Sequence, residues 1–433
     1  RRSCATTSTR AGSTMTGRVA QLRGAARFAS RLYAEQARGA YHAYVRRVPF
    51  ARLRFAPGRD DPYPIYEQIR AAGPFVTTPL GNLATADHAI CKELLRSRRW
   101  GVQPEGTDPP PDFDLSFLDR NPPDHTRLRR LVAPAFSPRR IAAMRDSVEK
   151  TVAGLLDDVE AAARTGRVDL VGSLAAPLPI AVICDLLGIP DADTAAFSRY
   201  GAAIGSALSG IRSLSHAREV MAADAAIGSL LEELFELRRR EPVDDLVSEL
   251  VAAEAAGTIR PGELLPLCSL LLVAGFETTV NLVGNAVNAL LDHPDQWAAL
   301  VADPGLAAAA VQETLRYDPP VQRTARVAFD EGEVAGVPIA RGCWVNVLLG
   351  GANRDPAVFA DPATFDLART DVGEHLAFSS GIHHCVGRPL AEMEATVALQ
   401  QLAERVPRLR RAGAVRRRTA TLIRGPQELP VAG

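Results

Sequence analysis

The sequence lacks the marks of several large classes of protein. Its six cysteines are scattered with no paired spacing, which argues against a disulfide framework and favours a reducing, cytoplasmic compartment. It contains no run of about eighteen apolar residues, so we expect no membrane span. Lysine is almost absent, but arginine balances the acids, and a chain with 50 basic and 50 acidic residues has no overall field for nucleic acid. What remains is a chain of 433 residues, 47% of them hydrophobic, that can bury a large core.

The N-terminus lacks acidic residues. The first 34 residues contain none and are rich in Arg, Ser and Thr, which is typical of an organellar transit peptide and also of a disordered tail. We favour the tail and expect residues 1–40 to form an N-terminal extension that is partly disordered. No repeat or low-complexity linker divides residues 41–433, so we expect these to form a single domain.

Hydrophobic periodicity predicts a mainly α protein with small β-sheets, in the α+β class. The predicted helices cover residues 62–72, 86–97, 138–163, 174–187, 192–209, 212–240, 261–292 and 388–405. The predicted strands flank a turn at 79–82 and cover residues 321–327 and 343–349. The longest predicted helix, 261–292, contains the longest apolar stretch, and we expect it to lie in the core.

One stretch carries a specific pattern, Phe378-Ser-Ser-Gly-Ile-His-His-Cys-Val-Gly387, which we call the Cys loop. Glycines such as Gly381 and Gly387 let a backbone approach a bulky group closely. A single Cys thiolate is a ligand of haem iron, so the loop predicts that Cys385 lies beneath a flat cofactor. A buried, inert thiol is the more common role of a cysteine. Zinc is the other alternative, but no second pair of ligands lies near His383.

The predicted central helix contains residues that disfavour a regular helix, in the stretch Ala274-Gly-Phe-Glu-Thr-Thr279. Gly275 costs about 1 kcal/mol relative to Ala, and Thr side chains can bond back to the backbone. A local distortion of this kind has an identifiable cause, which in a central helix is often functional. Taken alone, a capping Thr278 and a surface Glu277 would be the simpler interpretation. The presence of the Cys loop in the same chain favours a site.

A basic helix is predicted to begin after Asn121-Pro-Pro, because Pro at a helix start loses no hydrogen bond. His125 and Arg129 stand four residues apart and therefore share a face. A solvated basic face is the ordinary interpretation of such a run. Two cationic side chains on one face would also suit the carboxylates of a haem, which Arg can bind in bidentate fashion.

Together, these motifs resemble the cytochrome P450 family of haem-thiolate monooxygenases, from about residue 62 to residue 431. Their order is more specific than any one of them. The resemblance implies one catalytic domain, with haem b between the central helix and the Cys loop and Cys385 as its axial thiolate ligand. It also implies a set of residues that bind the haem, of which the histidines and arginines bind its propionates: His125, Arg129, Arg326, His383, Phe378, Gly381, Gly387, Ala274 and Gly275.

The resemblance implies further roles for the central helix. Ala274 and Gly275 would leave room above the iron. Glu277 and Thr278 match the family's acid–alcohol pair, which delivers protons to bound oxygen. We therefore expect Glu277 and Thr278 to be catalytic.

Some positions leave alternatives open. Arg323 lies close to Arg326 in the sequence and could replace it as a propionate ligand. Ser379 stands where many family members carry Gly, and Asn121 stands where Asp is frequent. Neither change touches the expected thiolate ligand.

Glu313 and Arg316 resemble the family's buried ion pair, which locks its helix to the segment before the Cys loop. An ordinary pair at this spacing would sit on a helix surface and contribute only a few tenths of a kcal/mol. Some family members add a second Arg to the lock. Here Thr364 stands in the matching position, and Arg369 is the candidate to replace that Arg.

The implied activity is insertion of one atom of O2 into a hydrophobic small molecule, by hydroxylation or epoxidation, in natural-product metabolism. No GxGxxG fingerprint of a nicotinamide- or flavin-binding domain is present, so the implied partners are ferredoxin and ferredoxin reductase. They would dock near the Cys loop and near Arg127 and Arg130. The alternatives are a haem-thiolate peroxygenase and a non-catalytic haem carrier or sensor. The retained acid–alcohol pair disfavours both.

Overall fold

The computed structural model describes residues 27–107, 114–190 and 193–433. Within them the protein is mainly α-helical with four small β-sheets, which confirms the predicted class. Residues 27–40 are helical and continue into the π turn Tyr41–Val45. Disorder in the rest of the N-terminal extension stays a prediction, since residues 1–26 lie outside the described residues.

The predicted helices are confirmed, with ends that differ from the predictions by three residues at most. Two further helices of nine or ten residues, Leu246–Ala255 and Pro294–Ala302, were not predicted, nor were the short helices Pro49–Arg52, Ala56–Asp60 and Leu349–Ala352, the last of which begins at the final residue of the predicted strand 343–349. The α-helices span Pro49–Arg52, Ala56–Asp60, Tyr63–Ala71, His88–Arg96, Asp124–Val132, Pro138–Thr165, Pro177–Leu187, Thr194–Ala207, Leu214–Arg240, Leu246–Ala255, Leu264–Asp292, Pro294–Ala302, Ala307–Tyr317, Leu349–Ala352 and Arg388–Arg405. Shorter 3-10 or π turns span Ser116–Asp119, Ala133–Phe136, Val171–Ala175, Pro304–Leu306, Val372–Glu374 and Gly381–His383.

The largest sheet has five strands, and it carries Arg326. In spatial order its strands are Val76–Thr77, Leu83–Thr85, Trp344–Val347, Thr324–Ala328 and Trp100–Gly101. Only the second and third run parallel, and Arg326 pairs in register with Val345. The smaller sheets pair Gly332–Val334 with Val337–Ile339, Pro430–Ala432 with both Val168–Asp169 and Arg410–Arg411, and Arg416–Arg417 with Pro426–Glu428.

The central helix, Leu264–Asp292, lies in the core because it is apolar on nearly all sides. It packs against Pro177–Leu187, Arg388–Arg405 and Ala307–Tyr317. Its length and a mean hydropathy of 1.6 would also allow it to cross a membrane. However, 72% of its most apolar window is buried inside the protein, as in the core helix of a soluble fold.

The expected lock is present and fully buried. The side chains of Glu313 and Arg316 are 1% and 0% exposed, and they form a bidentate pair at 2.7 and 2.8 Å. Arg316 also donates to the carbonyl oxygens of Pro362 and Thr364, at 2.8 and 2.7 Å. Arg369 donates from Nε to Glu313 Oε1 at 3.3 Å, so it is the third partner. Thr364 contributes only its backbone carbonyl oxygen to the lock, and any residue at this position would supply that atom.

The lock also reaches the chain just before the Cys loop. Asn353 donates from Nδ2 to the carbonyl oxygen of Leu315, which lies in the helix of the lock. Its Oδ1 accepts the backbone N–H of Leu376, at 2.7 Å. One buried amide therefore ties the helix of the lock to the entrance of the Cys loop.

Candidate active site

The Cys loop is held by backbone contacts that leave Cys385 accessible. The N–H of Cys385 donates to the carbonyl oxygen of Phe378 at 3.0 Å, and the residue itself is exposed. The dense backbone around the sulfur raises the pKa of the Cys385 thiol, and the N–H groups of Gly387 and Arg388 together with the Arg129 guanidinium oppose this rise. These groups favour the thiolate, the form that ligates a metal, but they do not outweigh the desolvation of the sulfur.

Two residues of the Cys loop adopt left-handed backbone conformations. Gly381 has φ +70°, and a Cβ there would overlap the carbonyl oxygen of Leu95, so no larger residue fits. Ser379 has φ 62°, and its hydroxyl is buried without a hydrogen-bond partner. The family's frequent Gly at this position therefore has a conformational reason, and Ser379 takes the same conformation with strain.

Four side chains from three elements form what we call the basic cluster, namely His125, Arg129, Arg326 and His383. The rings of His125 and His383 lie 4.3 Å apart between centroids. His125 is 2% exposed and Arg326 is 3% exposed. The helix Asp124–Val132, the strand Thr324–Ala328 and the Cys loop thus bring together residues that lie up to 258 positions apart (383 minus 125).

The basic cluster contains no acid. Among the described residues, neither Arg129 nor Arg326 forms a salt bridge. Arg129 donates to the carbonyl oxygen of His384 at 2.5 Å, and Arg326 donates to its own strand, at Thr324 and Ala325. The buried guanidinium group of Arg326 and the half-buried one of Arg129 therefore lie near histidines without a carboxylate partner.

The histidines of the cluster have unsatisfied nitrogens. Both ring nitrogens of His125 and Nε2 of His383 are buried without a hydrogen-bond partner among the described residues. Burial, together with the charge of Arg326, lowers the pKa of His383 to about 2, and burial with Arg129 lowers the pKa of His125 to about 4. The carbonyl of Ile382 opposes the shift of His125, but it is not in hydrogen-bonding geometry.

The N–H groups of the basic cluster have no carboxylate to accept their hydrogen bonds, and such a group of donors fits an anionic ligand. Burial also lowers the pKa of Arg326 to about 10, because the guanidinium is enclosed without a carboxylate. Haem carries two propionates, and its iron takes a thiolate ligand. The donors of the basic cluster and the accessible Cys385 therefore fit a haem.

The structure separates the two candidate arginines. Arg323 places its guanidinium 5.9 Å from the centre of the Phe50 ring, and it acts on the pKa of Tyr66. Arg326 acts on the pKa of His383. Arg326, not Arg323, therefore belongs to the basic cluster.

The central helix presents Ala274 and Thr278 on a side that is not closely packed. Ala274 is exposed and Thr278 is half-buried, and the Thr278 hydroxyl donates to the carbonyl oxygen of Ala274 at 2.9 Å. Gly275 differs, because a Cβ there would lie 2.8 Å from Cδ1 of Ile183. Gly275 thus permits close packing of a neighbouring helix, and its expected role beside the cofactor stays a prediction.

Glu277 lies on another side of the helix, buried at 3% exposure. Its Oε1 accepts from Nη1 of Arg418 at 2.7 Å, and no hydrogen bond joins it to Thr278. Burial raises the pKa of the Glu277 carboxyl, while Arg418 and Asn281 lower it. A Cβ on Gly205 would touch the Glu277 side chain, so the helix Thr194–Ala207 covers this carboxylate closely. Sequence reasoning missed Arg418, whose only signal was its place in a run of three arginines.

Comparison with known proteins identifies the family. The family model of cytochrome P450 matches residues 305–405, which include the lock and the Cys loop. The chain is 40% identical over 366 residues to the cytochrome P450 monooxygenase PikC of Streptomyces venezuelae, covering 81% of this chain and 85% of PikC. The chain belongs to the cytochrome P450 family. A further P450, the 6-deoxyerythronolide B hydroxylase of Saccharopolyspora erythraea, is 42% identical over 324 residues, covering 74% of this chain and 78% of that enzyme.

The fold of this P450 agrees with that of solved family members. The ligand-free crystal structure of Mycobacterium smegmatis CYP164A2 matches it with a TM-score of 0.81 and 38% sequence identity. The match covers 89% of this chain and 99% of CYP164A2. The family therefore gives this P450 a haem with cysteine thiolate ligation and a monooxygenase activity.

Proposed function

We propose that this P450 holds haem b through Cys385 and the basic cluster, and hydroxylates or epoxidises a hydrophobic natural product with electrons from ferredoxin. The observation that supports this is the pairing of an accessible Cys385, near the Arg129 guanidinium, with an acid-free group of arginines and histidines whose buried ring nitrogens lack partners among the described residues. His125, Arg129, Arg326 and His383 bind the propionates in this proposal.

When bound, the thiolate-ligated haem supplies oxygen activation. The chain's own residues supply the protons. Thr278 offers a hydroxyl from the open side of the central helix, and Glu277 holds a carboxylate one residue earlier. Because Glu277 is bonded to Arg418, the carboxyl transfers a proton toward Thr278 only after it leaves that bond or through a water molecule.

We propose ferredoxin, together with its reductase, as the electron donor. Arg127 is engaged inside the molecule, with Nη2 lying 2.6 Å from Glu263 and 2.9 Å from Asp124. Arg130 is exposed and remains available for an acidic partner. We therefore place the docking contact of the basic helix at Arg130 and not at Arg127.

The haem assignment is tested by spectroscopy. Reduced protein under carbon monoxide should show the red-shifted Soret band of a thiolate-ligated haem, and Cys385→Ala should abolish it. A band in the position typical of histidine ligation would refute Cys385 as the ligand.

The substrate class is tested by the spin state of the haem. One relative is named for hydroxylation of 6-deoxyerythronolide B, so this compound is the first probe. Myristic acid, which is bound in a solved structure of the myxobacterial P450 CYP267B1, is the second. A probe that shifts the spin state then enters turnover with a surrogate ferredoxin system. Oxygen-dependent product supports the proposal, product with peroxide alone indicates a peroxygenase, and binding without product indicates a carrier.

The role of Thr278 is tested by coupling. Thr278→Ala should keep the haem and divert reducing equivalents to peroxide, because the hydroxyl on the open side of the helix is lost. Unchanged coupling would remove Thr278 from the mechanism.

A further inference from the structure

A row of polar side chains, which we call the polar stripe, runs along one face of the central helix. It consists of Glu277, Asn281, Asn285, Asn288 and Asp292, which are three or four residues apart and therefore share a face. The first four are buried, at 3%, 0%, 1% and 5% exposure. Core positions seldom hold amides, because each buried donor and acceptor needs a partner.

The polar stripe packs against the C-terminal hairpin, residues 416–428. Asn285 donates from Nδ2 to the carbonyl oxygen of Arg424 at 3.1 Å. A Cβ on Gly425 would overlap the Asn281 amide, so the hairpin backbone lies directly on the stripe. Arg418 is paired with Gly425 across the hairpin by a backbone hydrogen bond, and its side chain reaches Glu277.

Four polar atoms in this contact are buried without a hydrogen-bond partner among the described residues. Two are acceptors, Oδ1 of Asn281 and Oδ1 of Asn285, and two are donors, Nε of Arg418 and Nη1 of Arg417. Buried groups of this kind are normally satisfied by ordered water, which can both donate and accept.

The other end of the polar stripe is different. Asn288 donates to Asp292 at 3.2 Å and accepts from Arg411 at 3.1 Å. Arg411 also pairs with Asp292 at 2.7 Å. This end also has an Asn on the same face of the helix, but the hydrogen bonds of Asn288 are satisfied by Asp292 and Arg411 and need no water. The unsatisfied atoms are thus confined to the segment between Arg417 and Glu277.

We propose that ordered water bridges the unsatisfied atoms of Asn281, Asn285 and the hairpin arginines, and carries protons from the surface at Arg417 to Glu277. The side chain of Arg417 is 25% exposed, which places the outer end of the path near solvent, while its buried Nη1 lies 3.7 Å from Asp318. Arg418 is a positioning residue, whose guanidinium holds the Glu277 carboxylate at the inner end. This inference rests on the proposed function.

The proposed water path would supply the protons that the reaction consumes. Insertion of one oxygen atom into a C–H bond takes up O2, two electrons and two protons, and it yields the alcohol and one water molecule. Reduced ferredoxin is the electron source. Each proton moves along the water molecules to the Glu277 carboxylate and leaves it on the Thr278 side, and the next proton from solvent restores the carboxyl.

The polar stripe offers a matched pair of variants, Asn281→Leu on the hydrated segment and Asn288→Leu on the closed one. With the probe that the wild type hydroxylates, Asn281→Leu should form roughly 3- to 10-fold less product per pair of electrons supplied, with a matching rise in peroxide, because one hydrogen bond of the path is lost. It should also show a larger solvent deuterium isotope effect. Asn288→Leu should behave as the wild type in both. Equal behaviour of the two variants would overturn the path.

The inner end is tested at Arg418. Arg418→Met should lower coupling as Asn281→Leu does, and Arg418→Lys should restore most of it because the cation is kept. Both variants should retain the carbon monoxide band, since the haem is held elsewhere. Equal coupling in the two variants would show that the charge of Arg418 does not position Glu277.

A measurement without turnover tests the water itself. A high-resolution crystal structure of the haem-bound enzyme should show ordered water on Asn281 Oδ1, Asn285 Oδ1 and Arg418 Nε. A dry contact in which these atoms bond to one another would overturn the inference. Failure of the proposed function is distinguishable, because it shows as a wild-type enzyme that forms no product although the contact is hydrated.

Discussion

The lock and the basic cluster are both buried and both rich in charge, but they differ in how the charge is matched. In the lock, Glu313 meets Arg316 in a bidentate pair and also Arg369, and Arg316 satisfies the carbonyl oxygens around it. In the basic cluster, Arg326 and His383 have no acid among the described residues. A charge satisfied by the chain itself stabilises the fold, and a charge left without a partner indicates a ligand.

The largest effect is expected in the lock. Glu313→Ala would leave Arg316 buried and unpaired, which should lower the free energy of unfolding by about 3–5 kcal/mol. Urea unfolding of the haem-bound protein measures this. The matched control is Glu149→Ala, which removes an exposed partner of Arg145 and should cost under about 0.5 kcal/mol. Similar losses in the two variants would show that the lock contributes no more than a surface pair.

The basic cluster should respond in haem affinity and not in stability. Arg326→Met removes a buried charge without an acid partner, so the haem-free protein should be as stable as the wild type within about 1 kcal/mol. Haem should bind about 10- to 100-fold more weakly, because a charge-assisted hydrogen bond to a propionate is lost. Haem transfer to apomyoglobin measures the affinity.

The control for this variant lies on the same part of the chain. Arg323→Met changes the same residue type, but Arg323 faces Phe50. Its haem affinity should equal that of the wild type. Equal weakening in both variants would mean that Arg326 has no special contact with the haem.

A smaller effect is expected at the third partner of the lock. Arg369→Gln should cost about 1–2 kcal/mol, because Glu313 keeps its bidentate bond to Arg316 and loses only one further donor. Thr364→Val should be neutral, since only the backbone oxygen of Thr364 is used. Urea unfolding of both variants tests this. A larger loss of stability in Thr364→Val than in Arg369→Gln would show that Thr364, and not Arg369, is the third partner of the lock.

The smallest effect is expected in the Cys loop, where the hydroxyl of the strained Ser379 has no hydrogen-bond partner among the described residues. Ser379→Gly should stabilise the protein by about 1 kcal/mol, because it relieves a left-handed Ser and removes a buried, unpaired hydroxyl. Gly381→Ser should destabilise it, since a Cβ would overlap Leu95. Thermal unfolding of the haem-bound protein compares them. Destabilisation by Ser379→Gly would show that its hydroxyl has a partner in the haem-bound protein.

The helices of this P450 were predictable where the chain offers recognisable ends. Arg388–Arg405 was predicted to the residue, since Gly387 precedes it and Pro389 stands in its first turn, where the missing N–H loses no hydrogen bond. Leu246–Ala255 was missed, although Asp245 caps it by accepting the N–H of Ser248. A short helix with a small apolar face gives a weaker periodic signal than a long one.

The sequence by itself determined the family and the residue types of the lock, and it predicted the thiolate ligand, because these depend on motifs that are local in the chain. Only the tertiary structure decided which residues meet. It assigned Arg369 to Glu313, Arg326 to His383 and Arg418 to Glu277, pairs that are 56, 57 and 141 positions apart (369 minus 313, 383 minus 326, 418 minus 277). The sequence shows that an arginine is charged, but its partner depends on which acid or donor lies close to it in the folded chain.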